Sequence, residues 1–148
     1  MQTFLPYSDF IDSAKCLDMK RLGKQRVEAW QLYLSLVNPD YGWKQHPASK
    51  MWRGYEKALL IYGLNICHEW KKRGYKDSLF DKFRNEIDTK YEGNIIYPGC
   101  IKYPHWLGNK EFHDSHKSNL IRKFPEYYGK LWLNIPDNLP YIWPIERS

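Results

Sequence analysis

Lys20, Arg21, Lys24 and Arg26 crowd into the stretch LDMKRLGKQRVEAWQ, residues 17–31, and one carboxylate, Glu28, follows them. Read as a helix, Arg21, Lys24, Gln25, Glu28 and Gln31 share a polar stripe, opposite Met19, Leu22, Trp30, Tyr33 and Val37. Cations of this density hold phosphates, and a carboxylate beside them can move a proton or stabilise positive charge developing on a sugar. The same spacing also makes Lys24 and Glu28 an i, i+4 ion pair on a wet surface, so the stripe leaves both readings open. Gly23 stands inside it. A helical glycine costs about 1 kcal/mol against alanine, which predicts that another group comes close at that turn.

A second polar cluster lies in FHDSHKSNLIRKFPEYYGK, residues 112–130. His113, His116 and Lys117 fall on adjacent turns, Asn119, Arg122 and Lys123 continue the surface, and Tyr127 and Tyr128 follow a proline break. Cations, hydrogen-bonding side chains and rings in this mixture can clamp a phosphate backbone and stack on a base. His113 and His116 lack a third ligand at recognisable spacing, so no metal is expected. In HPASKMWRGYEKAL, residues 46–59, Trp52 and Tyr55 are expected in the core or at its rim, while His46, Lys50 and Arg53 can line a groove edge. P-loop, dinucleotide-binding, GxSxG and HExxH patterns are absent, and no cofactor is expected.

The elements that must hold these groups read as helices. Ser8 followed by Asp9 caps a short one over FIDSAKCL, and Asp18 can cap a second from about Met19 to Val37, ended by Asn38, Pro39, Asp40 and Gly42. The longest periodic segment, residues 49–74, repeats Trp52, Leu59, Tyr62, Ile66 and Trp70 at helical spacing and closes on Gly74 after Lys71, Lys72 and Arg73. A charged amphipathic piece follows over 78–90, then a loop or at most a short hairpin through YEGNIIYPGCIKYPHWLG, then a helix from Glu111 to Lys123 that Pro125 breaks. The end, IPDNLPYIWPIERS, reads as an extended proline-rich strap. The expectation is all-α: a compact helical bundle, one domain over 1–148, with long irregular loops.

A chain of 148 residues suffices for one core. Its net charge of +6 and its 7 Trp and 12 Tyr suit a partner that offers phosphates and stackable bases, and suit a small aromatic core equally well. Cys16, Cys67 and Cys100 have no CxxC spacing, so a reducing compartment is expected and a disulfide framework is not. MQTFLPYSDF lacks the basic and apolar regions of a signal peptide, and no apolar run is long enough to cross a bilayer. A cytoplasmic monomer with no membrane partner is expected.

A basic helix ending in Arg26 and Val27, a long helix finishing WKKRGY (70–75), a histidine-bearing polar helix and EYYGK (126–130) follow in that order. This order resembles the pyrimidine-dimer DNA glycosylase family of the phage endonuclease V type, from the first helix to Lys130, with residues 131–148 as an addition. LGKQRVEA, HPA with MWRGYE, and SHKSNLIRK resemble a bacterial and viral branch of it.

The resemblance implies a helical fold that binds duplex DNA bearing a damaged or modified base, flips a nucleotide and cuts its N-glycosidic bond. It implies that the N-terminal amine attacks the sugar C1′ and forms a Schiff base, with AP-lyase activity in consequence. It further implies a glutamate on the first long helix as acidic or electrostatic partner and arginines there as phosphate holders. Arg26 matches one such arginine. The family's glutamate, three residues earlier, is Gly23 here, and Glu28 is the only nearby replacement. Gln2 is bulky, so Met1 is expected to remain and to carry the amine; otherwise Lys24, lowered by its cationic neighbours, supplies it. Two alternatives stay open: a non-catalytic nucleic-acid-binding protein on the same fold, its acid lost at Gly23, and a glycosylase acting on RNA or a nucleoside.

Overall fold

The structure, a computed structural model, describes residues 2–91 and 101–144; Met1 lies outside them, as does Cys100 with much of the expected 91–108 loop. Among the described residues there are helices and no strands, as the all-α expectation requires. Asp9 opens α1 (Phe10–Cys16) by accepting the amides of Ile11 at 2.7 Å and Asp12 at 3.2 Å. Asp18 stands at the cap position of α2 (Met19–Val37), but its side chain accepts no helix amide. That carboxylate instead takes the Arg21 guanidinium at 3.3 Å and the Tyr128 hydroxyl, which outcompete the helix end for it.

The expected single helix over 49–74 is two: α3 (Pro47–Trp52) and α4 (Glu56–Lys72). Between them Arg53 is extended and Gly54 has φ +91°, a left-handed conformation that favours glycine. The break is about one turn long, so the apolar repeat passes across it undisturbed and conceals it from periodicity. Gly74, at φ +96°, closes α4 as expected. The charged segment forms α5 (Leu79–Lys90), and α6 (Lys110–Lys123) begins where Asn109 accepts the Phe112 amide at 3.0 Å. Pro125 ends α6 but also starts α7 (Pro125–Tyr128), because its fixed φ suits a first helical turn.

α4 packs on α2, α5 and α1. Gly63 permits the α4–α5 approach: a Cβ there would lie 2.3 Å from the Phe83 ring. Trp52, Tyr33, Tyr62, Tyr128, Phe83 and Phe112 are fully buried, so much of the aromatic content fills the core. The run expected to extend over 135–148 turns at 137 and 138 and is irregular to 144, with its last residues outside the described chain. Ser118 Oγ accepts the Leu139 amide at 2.9 Å and Ser115 Oγ the Ile142 amide at 3.3 Å, which tie this stretch to α6. No helix among the described residues is long and apolar enough to cross a membrane.

The feature that organises the site is an irregular segment, residues 2–5, buried between α2, α3, α4 and α6. Gln2 is 5 % exposed and Thr3 and Leu5 not at all. Buried backbone needs partners, and side chains supply them. Gln25 of α2 accepts the Phe4 amide at 3.1 Å and donates to the Gln2 carbonyl at 2.6 Å. Tyr62 of α4 donates to the Phe4 carbonyl at 2.9 Å, and Trp52 of α3 donates to Thr3 Oγ1, also at 2.9 Å.

Candidate active site

Against this segment α2 turns its cationic face. Gln2, Phe4, Lys20, Arg21, Lys24, Gln25, Glu28, Lys123 and Tyr141 line one cleft of about 330 Å³, large enough to receive a nucleobase. α2 forms one wall; Lys123 at the end of α6 and Tyr141 contribute the other. Arg21 joins the two, donating to the Lys123 carbonyl at 3.4 Å while its guanidinium lies 5.9 Å from the Phe124 ring centre.

Glu28 is the carboxylate that the cleft contains. Its side chain is only 13 % exposed; Oε2 accepts the Gln25 amide at 3.1 Å and Oε1 lies 3.6 Å from Lys24 Nζ. The expected i, i+4 pair therefore exists, and both of its members line the cleft. Lys24 is 73 % exposed, so its amine is free to move. Gln25 is not on a wet stripe: it is 1 % exposed, and Tyr62 also donates to its Oε1 at 2.7 Å. Met19 and Val37, expected on the apolar side, are instead 51 % and 36 % exposed.

Gly23 answers the question that its own presence raises. A Cβ at this position would lie 3.0 Å from the Trp70 indole, so the neighbour that comes close there is a ring of α4 rather than a ligand. On a helix this position points well away from the face that carries Lys24 and Glu28. An acid at residue 23 would meet Trp70, whereas one at residue 28 meets the cleft.

Arg26, which the resemblance in sequence sets against a family arginine, also lies on the Trp70 side. It pairs with the fully buried carboxylate of Asp77, and its guanidinium stacks 4.4 Å from the Trp70 ring centre. Burial opposes ionisation of Asp77, but the Phe80 amide, Arg26 and the Leu79 amide outweigh it and hold its carboxyl below the ordinary value. Tyr128 is buried too and hydrogen-bonds Asp18.

The histidines of α6 point inward. His113 Nδ1 donates to the Leu5 carbonyl at 2.7 Å while its Nε2 accepts the Gly108 amide at 2.9 Å. His116 Nδ1 accepts the Leu5 amide at 2.9 Å, which places the proton of the neutral ring on Nε2. Burial pushes both below the ordinary histidine value, His116 to about 3. These rings fix residue 5, and through it the segment that reaches the cleft.

The other expected binding residues do not line the cleft, although His46 stands within electrostatic range of Glu28 and Arg122 within that of Tyr141. His46 accepts the Ala48 amide at the start of α3, and Arg53 donates to the Lys44 carbonyl. Lys117 sits over the Tyr7 ring beside Asp114, Arg122 donates to the Asp137 carbonyl, and Asn119 is buried. Tyr127, 38 % exposed, stacks on Phe124, the ring that follows Lys123. Sequence reasoning missed Gln2 and Phe4, which no motif marks, and Tyr141, hidden in a proline-rich run. Among the described residues no group of three or more His, Cys, Asp or Glu is gathered as a metal site.

The family model for pyrimidine dimer DNA glycosylase matches residues 1–83, more than half of the chain. That stretch carries residues 2–5 and α1 to α4, and so every cleft residue except Lys123 and Tyr141; it ends short of Lys130, to which the resemblance in sequence runs. No curated protein and no solved structure matches the chain.

Proposed function

The chain belongs to the pyrimidine dimer DNA glycosylase family, an enzyme family acting on DNA, and from that premise we propose that the Gln2–Glu28 cleft receives a nucleotide flipped from a lesion-bearing duplex and releases its base. The observation that carries this reading is the cleft itself. It gathers the segment adjoining Met1, Lys24, a shielded carboxylate and the cations Lys20, Arg21 and Lys123 around a space of nucleobase size.

The cations take the phosphates flanking the flipped nucleotide, and flipping is cheapest where a lesion already weakens pairing and stacking. An amine, from Met1 or from Lys24, attacks the sugar C1′. As the N–C1′ bond forms, the electron pair of the glycosidic bond leaves with the base, which takes up a proton. Glu28 stabilises the positive charge that grows on the sugar, from a position where Gln25 holds it without neutralising it. Opening of the sugar ring gives a Schiff base; loss of a C2′ proton then expels the 3′ phosphate, which is the lyase step. An α-amine is suited to this task because about a tenth of it is unprotonated near neutrality. Lys24 qualifies by place, since it lines the cleft beside Glu28 and its side chain is free to move.

The alternative of a binder that has lost its acid at Gly23 finds no support in the cleft, where Glu28 stands and residue 23 does not. The reading is tested by borohydride reduction during incubation with duplexes that carry a pyrimidine dimer, an oxidised pyrimidine or an abasic site. A covalent protein–DNA adduct is expected. An adduct lost when the N-terminus is blocked assigns Met1, and one lost in Lys24→Ala assigns Lys24. No base release from any lesion duplex would end the proposal.

A further inference from the structure

The polar floor of the cleft is shielded from solvent. Gln2, Phe4 and Gln25 are buried and the Glu28 side chain nearly so, whereas Lys20 and Lys24, which line the cleft too, face water. A sugar reaches that floor only if a wall gives way. α2 is a 19-residue helix, and residues 2–5 are pinned by Gln25, Trp52, Tyr62, His113 and His116. The Tyr141 wall is held otherwise. It belongs to an irregular stretch, residues 139–143, that follows a turn at 137 and 138. Side chains of α6 supply its attachments: Arg122 donates to the Asp137 carbonyl at 2.6 Å, Ser118 Oγ accepts the Leu139 amide at 2.9 Å and Ser115 Oγ the Ile142 amide at 3.3 Å.

The seat of this stretch is imperfect. Buried polar groups nearly always find partners, yet Tyr141 Oη, His116 Nε2 and Gln2 Nε2 are buried with none among the described residues. The Tyr141 and His116 rings meet edge-on, 5.5 Å between centres, and Tyr141 shares the cleft with Gln2, so these atoms border the seam where the stretch rests on the fold. An unpaired buried group carries a desolvation cost that contact with water removes. Swinging the stretch away wets the Tyr141 hydroxyl and uncovers the His116 nitrogen, which offsets part of what the three hydrogen bonds contribute. Pro140 fixes its own φ and keeps Leu139 extended, so the stretch turns about 137 and 138 as a unit rather than unravelling.

We propose that residues 139–143 are a lid on the cleft, hinged at Asp137 and Asn138, which opens to admit a ligand to Gln2 and Glu28 and closes over it with Tyr141 as the wall. Segments that open at least cost are those held by few side-chain bonds over an imperfect seat, and lids are drawn from them. The opening is a property of the free chain. That a nucleotide passes beneath it rests on the reading of the cleft given above.

The test is amide hydrogen exchange of the full chain, resolved by residue, in wild type, Ser118→Ala, Ser115→Ala and Tyr141→Phe, with the amides of α4 as the reference for global unfolding. Ser118→Ala should speed exchange at Ile142, whose own acceptor it leaves in place, by about fivefold, and Ser115→Ala should do the same at Leu139. Tyr141→Phe removes a hydroxyl that the closed state leaves unpaired, so exchange at both amides should slow by about threefold or more. A change confined to the amide that lost its acceptor overturns the inference, as does faster exchange in Tyr141→Phe. Closure is read in the wild type with a duplex carrying a tetrahydrofuran abasic analogue, which cannot form a Schiff base. Once bound, it should slow exchange at Leu139 and Ile142 by about tenfold, and unchanged exchange in the bound chain overturns the closing step. Coupled exchange in a chain that releases no base keeps the lid and sinks the mechanism above, whereas base release by a chain whose Leu139 and Ile142 exchange independently does the reverse.

Discussion

Gln25 and Gln2 meet at 2.6 Å, side-chain nitrogen to backbone carbonyl, and the same Gln25 nitrogen lies 3.1 Å from Glu28. One amide thus sets the distance between the segment adjoining Met1 and the carboxylate. Gln25→Ala strands the Phe4 amide and the Gln2 carbonyl in the interior, at a cost of about 2–4 kcal/mol. Base release should fall by about tenfold or more with lesion-duplex affinity little changed, because the loss is one of alignment. Chemical denaturation together with single-turnover kinetics checks both halves.

Glu28→Gln keeps the shape and removes the charge. Single-turnover base release should drop by about 10²–10³, as for loss of one preorganised electrostatic group, while DNA affinity stays within about threefold. Full turnover in this variant would show that the carboxylate is a bystander.

An acid restored at the position where the family carries one should not rescue that loss. Gly23→Glu drives its Cβ to 3.0 Å from the Trp70 indole and points away from the cleft. The double variant Gly23→Glu, Glu28→Gln is expected to melt below Glu28→Gln alone and to release base no faster. Rescue would mean that residue 23 does reach the reacting sugar.

Phosphate contact and structural pairing separate by salt dependence. Lys20→Ala and Lys123→Ala should each lower the slope of log affinity against log salt by about 0.9, because each cation neutralises one phosphate. Arg26→Ala should leave the slope unchanged and cost about 3 kcal/mol of stability, since buried Asp77 is left without its cation. The two effects are read by titration at several salt concentrations and by denaturant unfolding.

Acid should loosen the site by way of α6. Burial lowers His116 to about 3, below the ordinary value near 6.5, so folding favours the neutral ring. The stability this contributes is fully present above pH about 6.5 and is lost as the pH falls toward 3, at up to about 1.4 kcal/mol per pH unit. His113, lowered by burial as well, acts in the same direction. In His116→Asn, whose amide oxygen can still accept the Leu5 N–H, unfolding free energy between pH 6.5 and 4 should fall less steeply than in the wild type.

How far the sequence foretold the molecule depended on the range of the interaction. Helices α1, α2 and α6 were legible because capping residues and apolar periods are local signals, and α5 showed only as a charged amphipathic piece. The break at Gly54 was not, since a one-turn gap preserves the period. On α2 the stripe that holds Lys24 and Glu28 was visible, yet its register against the rest of the fold was set by partners far along the chain. Asp77 claims Arg26 from 51 residues away, and Tyr62 claims Gln25 from 37. Charge and hydrogen-bonding capacity announce that a residue needs a partner without saying whether protein or DNA supplies it. For that reason His113 and His116 resembled a phosphate clamp while serving the backbone of Leu5.

Leu5 carries an implication for the order of events during synthesis. Its partners are separated from it by 108 and 111 positions, so more than two thirds of the polypeptide must leave the ribosome before the early residues can be locked in place. Until α6 emerges, residues 2–5 and the cleft they help to line are not held in place. A nascent or truncated chain can therefore present basic surface to nucleic acid before the cleft exists, which separates contact with DNA from any reaction on it.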